Sequence, residues 1–398
     1  MDPSASQVRQ LAQKVCVPNL EADVWVQVAE RPHCLAPRSL KAWLDRWERV
    51  HLAEIVYCGT LHYQHHAWDA RTNPPDVEAQ MRRVWEQLRH ANPRTKARLV
   101  RPTTSPEVKD CKDLLIVDPG SGDDARKQFS QIYGEAMGLT MAKRITHVSH
   151  AAITKVTSPT PSLRHDYELL RQDGSLLKLE AKGSFRRKSR TQALDSIDRK
   201  LASAPCRDFR ETLAILAYPS DTARRRTCDV EIVDPPGRAR ALDRAGQARR
   251  VLQHYFRFMC AHGARAADVV RNLLEMSDGA LTAALDQGVQ DLEHHAKAGL
   301  NFAGRHRCWV RGDEYWGTSY ETAKAWDAPP WVRKGTGYFF WGIPASLVTK
   351  LGSWRLLELL VPWPSTGYGI SRRGMDYYVC DDGIIGGWAD CLSALRGD

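Results

Sequence analysis

Asp166, Glu180 and Lys182 are the residues of this chain whose types and spacing suit chemistry. They fall within Arg164–Lys182, a stretch that reads as two strands joined by a tight turn. Gln172-Asp173-Gly174-Ser175 supplies the turn, because an Asp-Gly pair tolerates the positive φ of a short hairpin. Beyond it the residues alternate: Leu177, Leu179 and Ala181 on one face, Lys178, Glu180 and Lys182 on the other. Antiparallel pairing would bring Asp166 back beside Glu180 and Lys182. Two carboxylates can hold Mg²⁺ or Mn²⁺ through hard oxygen ligands. A metal there polarises a phosphoryl oxygen and acidifies water. An adjacent ammonium orients that water or offsets developing negative charge.

Several elements must position this hairpin. Asp123 or Asp124 suits the N-cap of a helix running to about Lys143, with Phe129, Ile132, Tyr133, Ala136 and Met137 as its apolar stripe. Leu114–Val117 reads as a short strand before it, and Ile145–Thr157 as a β-prone segment after it. Gly183 and Ser184 suit a loop passing near phosphate. Thr191–Leu201 reads as a helix whose terminal Arg199 and Lys200 complement its dipole. Glu211–Tyr218 is a buried strand, and Cys228–Val233 one more.

Asp166, a gap of thirteen residues and then Glu180-Ala181-Lys182 resembles the motif of the PD-(D/E)xK nuclease superfamily. The resemblance covers about residues 120–235, where helix, strand, partner strand, helix and strand follow in that family's order. It implies an α/β (α+β) fold: a restriction-endonuclease-like core with a mixed sheet flanked by helices. It implies Asp166, Glu180 and the carbonyl of Ala181 as ligands of Mg²⁺ or Mn²⁺, and Lys182 as the group that activates water. Glu135 on the first helix and Gln192 at the start of the second would assist. The superfamily's proline before the aspartate is replaced by His165. The expected activity is a metal-dependent endonuclease acting on DNA, in phage defence, restriction, repair or a mobile element. The alternative is a nucleic-acid-binding or scaffolding subunit that hydrolyses nothing.

Charge agrees with an anionic partner. The chain has 398 residues and a formal net charge of +10. Arg186 to Arg250 holds sixteen Lys/Arg against nine Asp/Glu. Arg186, Arg187, Lys188, Arg190, Arg224, Arg225 and Arg226 are the candidate phosphate contacts. A partner protein such as an ATPase, and a homo-oligomer, are compatible with the sequence. No run of apolar residues is long enough to span a membrane. The start lacks the apolar core of a secretory signal, and the ten scattered cysteines contain no Cys-x-x-Cys. Reduced core thiols in a cytoplasmic protein are therefore expected.

The remaining chain divides by composition. Residues 1–113 read as a mostly helical region, with helices at Val8–Val15, Leu40–Ile55 and Val77–His90. Cys58, His62, His65 and His66 cluster there, but no second ligand pair stands at zinc-site spacing. Residues 114–235 hold the nuclease-like core. Residues 236–299 read as helices at Ala248–Ala261, Ala267–Glu275 and Leu281–Ala296. Residues 300–398 form a Trp-rich, β-containing domain with eight of the thirteen tryptophans. Aromatics at that density are expected to fill a small core.

Overall fold

The computed structural model describes residues 21–28, 40, 42–43, 46–60, 123–156, 166–184, 187–202, 212–219, 227–233, 240–261, 264–298, 305–310, 313–321, 338–363, 369–372 and 375–389. These form β1 (Glu21–Val28), β2 (Arg46–His51), α1 (Leu52–Thr60), α2 (Asp123–Thr146), β3 (Ile153–Lys155), β4 (Tyr167–Leu170), β5 (Ser175–Gly183), α3 (Arg187–Ala202), β6 (Thr212–Pro219), β7 (Thr227–Val233) and β8 (Arg240–Ala241). Four helices come next: α4 (Arg244–Ala261), α5 (Ala266–Glu275), α6 (Asp278–Gln287) and α7 (Gln290–Lys297). They precede β9 (Arg305–Val310), β10 (Asp313–Glu321), β11 (Tyr338–Pro344), α8 (Ala345–Leu351), β12 (Gly369–Arg372), β13 (Met375–Val379) and β14 (Ile385–Ala389).

The first sheet is mixed and flanked by helices. Its strands lie in the order β2-β1-β7-β6-β5-β4-β3, with β8 paired to β5. β4 and β5 form an antiparallel hairpin in which Tyr167 faces Leu179 and Leu170 faces Leu176. Gly174 turns it with φ +82°, and Asp173 caps the turn by accepting from the Ser175 N–H at 2.9 Å. β5 then runs parallel to β6. Two parallel strands need a crossover between them, and α3 supplies it. Leu194 and Ile197 of α3 pack on Ala214 and Leu216 of β6 and Val233 of β7.

Helix α2 is buried from Ile132 to Lys143. A helix covered on all sides needs small residues where backbones meet, and Gly134 and Gly138 provide them. A Cβ on Gly134 would stand 2.0 Å from the Gly183 Cα, and one on Gly183 would stand 1.8 Å from the Ser130 carbonyl oxygen. A Cβ on Gly138 would meet the Ala181 Cβ at 2.8 Å. Gly183 thus ends β5 and is pressed onto α2, which replaces its expected place in a phosphate loop. Ser184 is buried and donates its N–H to the Ala217 carbonyl at 3.0 Å.

Two sequence expectations are corrected here. Leu40–Ile55 is not one helix: β2 occupies Arg46–His51 and α1 begins at Leu52. Trp43 and Trp47 therefore do not share a helix face, and Trp47 instead sits opposite Trp25 across β1 and β2. A short run of mixed apolar and polar residues fits both periods, and pairing with β1 selects the strand. β1 itself lies parallel to β7, so strands from the N-terminal region extend the sheet of the central one. Leu281–Ala296 is likewise two helices, broken at Gly288 with φ +81°. Val8–Val15, Val77–His90, Leu114–Val117, His62, His65 and His66 lie outside the described residues.

The second sheet is antiparallel, ordered β12-β13-β14-β11-β10-β9. Trp316, Trp354 and Trp363 pack half-buried against the main core. Cys58, Cys228 and Cys380 are buried free thiols, and Cys260 is half-buried. No described helix is long and apolar enough to cross a membrane.

The turn between β13 and β14 ties this sheet to the core by charge. Asp382 Oδ2 accepts from the Tyr57 hydroxyl of α1 at 2.7 Å and lies 2.7 Å from His254 Nε2 of α4. Asp381 Oδ2 pairs with Lys143 Nζ of α2 at 2.6 Å, and its Oδ1 accepts from the His150 N–H at 3.0 Å. Burial alone would raise the Asp382 pKa. The His254 contact, the charges of His254 and His150 and the Tyr57 hydrogen bond outweigh it and hold the carboxyl at about 2.

Gly134→Ala is expected to lower the melting temperature, since overpacking against backbone costs about 1–3 kcal/mol and exceeds the gain in helix propensity. Gly279→Ala, with nothing within 4 Å of an added Cβ, is the helical control and should be neutral or stabilising. Asp382→Asn should destabilise by about 3–5 kcal/mol, measured by urea denaturation at neutral pH. Because the folded Asp382 pKa is depressed, its contribution is complete above the unfolded value of about 3.9. That contribution is lost as pH falls toward about 2. The gap between wild type and Asp382→Asn should narrow across that window.

Candidate functional site

The hairpin register decides which side chains meet. Tyr167 is opposite Leu179, so Asp166, one residue earlier, comes up beside Glu180. Glu180 is fully buried, and Asp166 and Lys182 are half-buried. Lys182 Nζ stands 2.7 Å from Glu180 Oε1 and 3.4 Å from Asp166 Oδ2. The two carboxylates and the ammonium meet as the alternation of β5 predicts.

A second ammonium joins them. Lys200, near the end of α3, stands 2.7 Å from both oxygens of Glu180 and 3.6 Å from Asp166 Oδ1. Sequence reading assigns Lys200 to the helix dipole and misses this contact. The available signal is its spacing: Ala193, Ile197 and Lys200 follow i, i+4, i+7, so Lys200 continues the stripe that packs on the sheet. Gln192, by contrast, is exposed on α3, and no contact brings it to the carboxylates. Its expected assisting role is not supported by its position.

Glu135 is buried on α2 and accepts from the Tyr167 hydroxyl at 2.6 Å. Tyr167 shares the face of its cross-strand partner Leu179, so Glu135 approaches from the α2 side of the sheet. Lys155, opposite Tyr167 on β3, places its Nζ 5.6 Å from the Tyr167 ring centroid. Glu135, Asp166 and Glu180 thus stand with Lys155, Lys182 and Lys200 at one end of the hairpin.

Burial and mutual charge set the protonation tendencies. Burial raises the Glu180 pKa, and the Asp166 charge adds to it, against the pull of Lys182 and Lys200. Burial opposes the Lys182 charge, but Asp166, Glu180 and Glu135 outweigh it, so its pKa is raised and it stays an ammonium. Burial lowers the Lys155 pKa, with Glu135 and Asp166 opposing and Lys182 reinforcing. Burial also pushes the Tyr167 hydroxyl well up, with the Glu135 charge and hydrogen bond adding to it, so it remains a donor.

The donor chemistry suits a hard divalent cation. The ammonium nitrogens of Lys182 and Lys200 mark two cation-sized positions against Glu180 and Asp166. Among the described residues no three Asp, Glu, His or Cys side chains form a ready metal cage. Remaining coordination would come from main chain and water, as Mg²⁺ commonly uses. The Arg171–Ser175 main-chain bond sets the hairpin's alternation, which turns the main chain of Ala181 toward the β4 side.

The expected basic surface is only partly on view. Arg186, Arg224, Arg225 and Arg226 lie outside the described residues, as do the side chains of Arg187 and Lys188. Arg190 is not a free phosphate contact. It is ion-paired with Glu231 and stacks its guanidinium 5.0 Å from the Tyr218 ring centroid. Tyr218 also donates to Glu231 at 2.7 Å, so a buried carboxylate holds Arg190 against the sheet.

Comparison with known proteins finds no matching family model, no matching curated protein and no matching solved structure. Tyr167→Phe removes the hydroxyl that Glu135 accepts from and should destabilise by about 1–3 kcal/mol, read from the urea midpoint.

Proposed function

We propose that this chain is a metal-dependent nuclease of PD-(D/E)xK type that hydrolyses phosphodiester bonds in DNA. The observation that carries this reading is the meeting of Asp166, Glu180 and Lys182 at the end of one hairpin. Element order supports it. A helix precedes three antiparallel strands, and a second helix leads into a strand parallel to the third. This order agrees with the one expected from the resemblance, with β3 as one strand more.

Asp166 and Glu180 would hold Mg²⁺ or Mn²⁺, with the carbonyl of Ala181 as a further donor. The ion would supply polarisation of a phosphoryl oxygen and a lowered pKa for water at the site. Lys182 is held as an ammonium beside both carboxylates, where it can orient the attacking water and offset negative charge in the transition state. Lys155 adds an amine on β3, beside Tyr167. Glu135 keeps Tyr167, and through it β4, in place. Three carboxylates face three lysines, so a bound divalent cation would tip the site toward positive charge for an anionic substrate.

One observation favours a second reading, a nucleic-acid-binding subunit that cuts nothing. Lys182 and Lys200 already neutralise Glu180, and an inert ion cluster would have the same contacts. Cleavage of plasmid and linear DNA by the purified protein with Mg²⁺, Mn²⁺ or EDTA separates the two. The nuclease reading expects metal-dependent cutting that falls by at least about 10²-fold in Asp166→Asn, Glu180→Gln and Lys182→Ala, the scale of losing one electrostatic catalytic group. Arg190→Ala should leave cutting within severalfold of wild type. Salt-sensitive DNA binding without cutting would point to the binding subunit.

A further inference from the structure

We infer that Lys200 is a built-in counter-cation, which occupies the carboxylate oxygens that a divalent metal would use and must leave them when the metal binds. The inference rests on the nuclease reading and deepens it. Lys200 contacts both Glu180 oxygens at 2.7 Å, so its ammonium lies across the carboxylate rather than against one edge. It also stands 3.6 Å from Asp166 Oδ1, on the oxygen opposite the one Lys182 faces. With Lys182 kept where it is, an ion coordinated by Glu180 and Asp166 together would need this position.

Lys182 and Lys200 differ in how they can respond. Lys182 is on β5 itself, two residues from Glu180, and its strand is fixed between β4 and β6. Lys200 reaches the site from α3, in the last turn of the helix. Its long flexible side chain can swing to solvent without moving the sheet. A fully buried carboxylate left without a cation carries a desolvation penalty, which Lys200 relieves while the metal is absent. The same ammonium repels an arriving dication, so metal affinity is set by a competition within the chain. Such a site stays folded when metal is scarce and loads only above a threshold concentration.

Calorimetric titration of the full chain with Mn²⁺ alone tests this, using wild type, Lys200→Met, Lys200→Gln and Glu180→Gln. Removing the competitor should tighten Glu180-dependent Mn²⁺ binding by about tenfold or more. The metal-free Lys200 variants should also melt lower than wild type in EDTA and recover more on adding Mn²⁺. A readout on the wild-type chain needs no variant. Amine acetylation at Lys200, followed by peptide mass spectrometry, should rise when Mn²⁺ is added, because Lys200 is released. Glu180-dependent Mn²⁺ binding that is unchanged or weaker in both Lys200 variants, with acetylation unaffected by Mn²⁺, would overturn the inference and leave the nuclease reading standing. Absence of Glu180-dependent binding in wild type and in both Lys200 variants would overturn the nuclease reading, and the inference with it.

Discussion

Helix α2 lies directly on strand β5 because neither Gly134 nor Gly183 has a side chain. That contact brings backbone against backbone, and any Cβ at either position would force them apart. Much else follows from the spacing. Glu135, next to Gly134, reaches the Tyr167 hydroxyl only because the helix is this close. Gly138 repeats the arrangement one turn on, over Ala181, the residue between Glu180 and Lys182. The strand that carries the candidate site is therefore clamped from behind by a helix with almost no freedom to shift.

The front of the same strand is held by charge rather than by packing. Glu180 is fully buried, yet two ammonium groups stand 2.7 Å from it. Removing a carboxylate from water is unfavourable by several kcal/mol, of order 3–5 when a partner is deleted. The pairing with Lys182 and Lys200 offsets that penalty. A rigid back and an electrostatically balanced front make a site in which small displacements are resisted but one long side chain can still exchange.

Charge also joins distant parts of the chain. The end of α2 carries Lys143, which pairs with Asp381 from the turn between β13 and β14. Asp382, beside it, gathers Tyr57 from α1 and His254 from α4. Helix α2 is thus fastened at one end by the antiparallel sheet's turn and along its length by β5. The Trp-rich sheet contributes through this turn to the element that backs the candidate site. Trp316 of its β10 packs half-buried against the common core.

What the sequence by itself determined is local. Period-two alternation and an Asp-Gly turn place Glu180 and Lys182 on one face and return Asp166 to them, because hairpin geometry is set by residues close in the chain. Helices α2, α3, α4 and α5 were legible for the same reason, from their apolar stripes. Tertiary structure alone decided the rest. Lys200 meets Glu180 across twenty residues and a helix, a contact that depends on where α3 lands on the sheet. Arg190 has the composition of a phosphate contact, but the neighbouring strands turned it onto Glu231 and Tyr218. β1 and β2 joined the sheet because β7 offered an edge to pair with, and a short apolar run takes the period of the partner it finds. The roles of Gly134 and Gly183 became readable only once their backbones were seen in contact, since a glycine signals a close approach without naming what approaches.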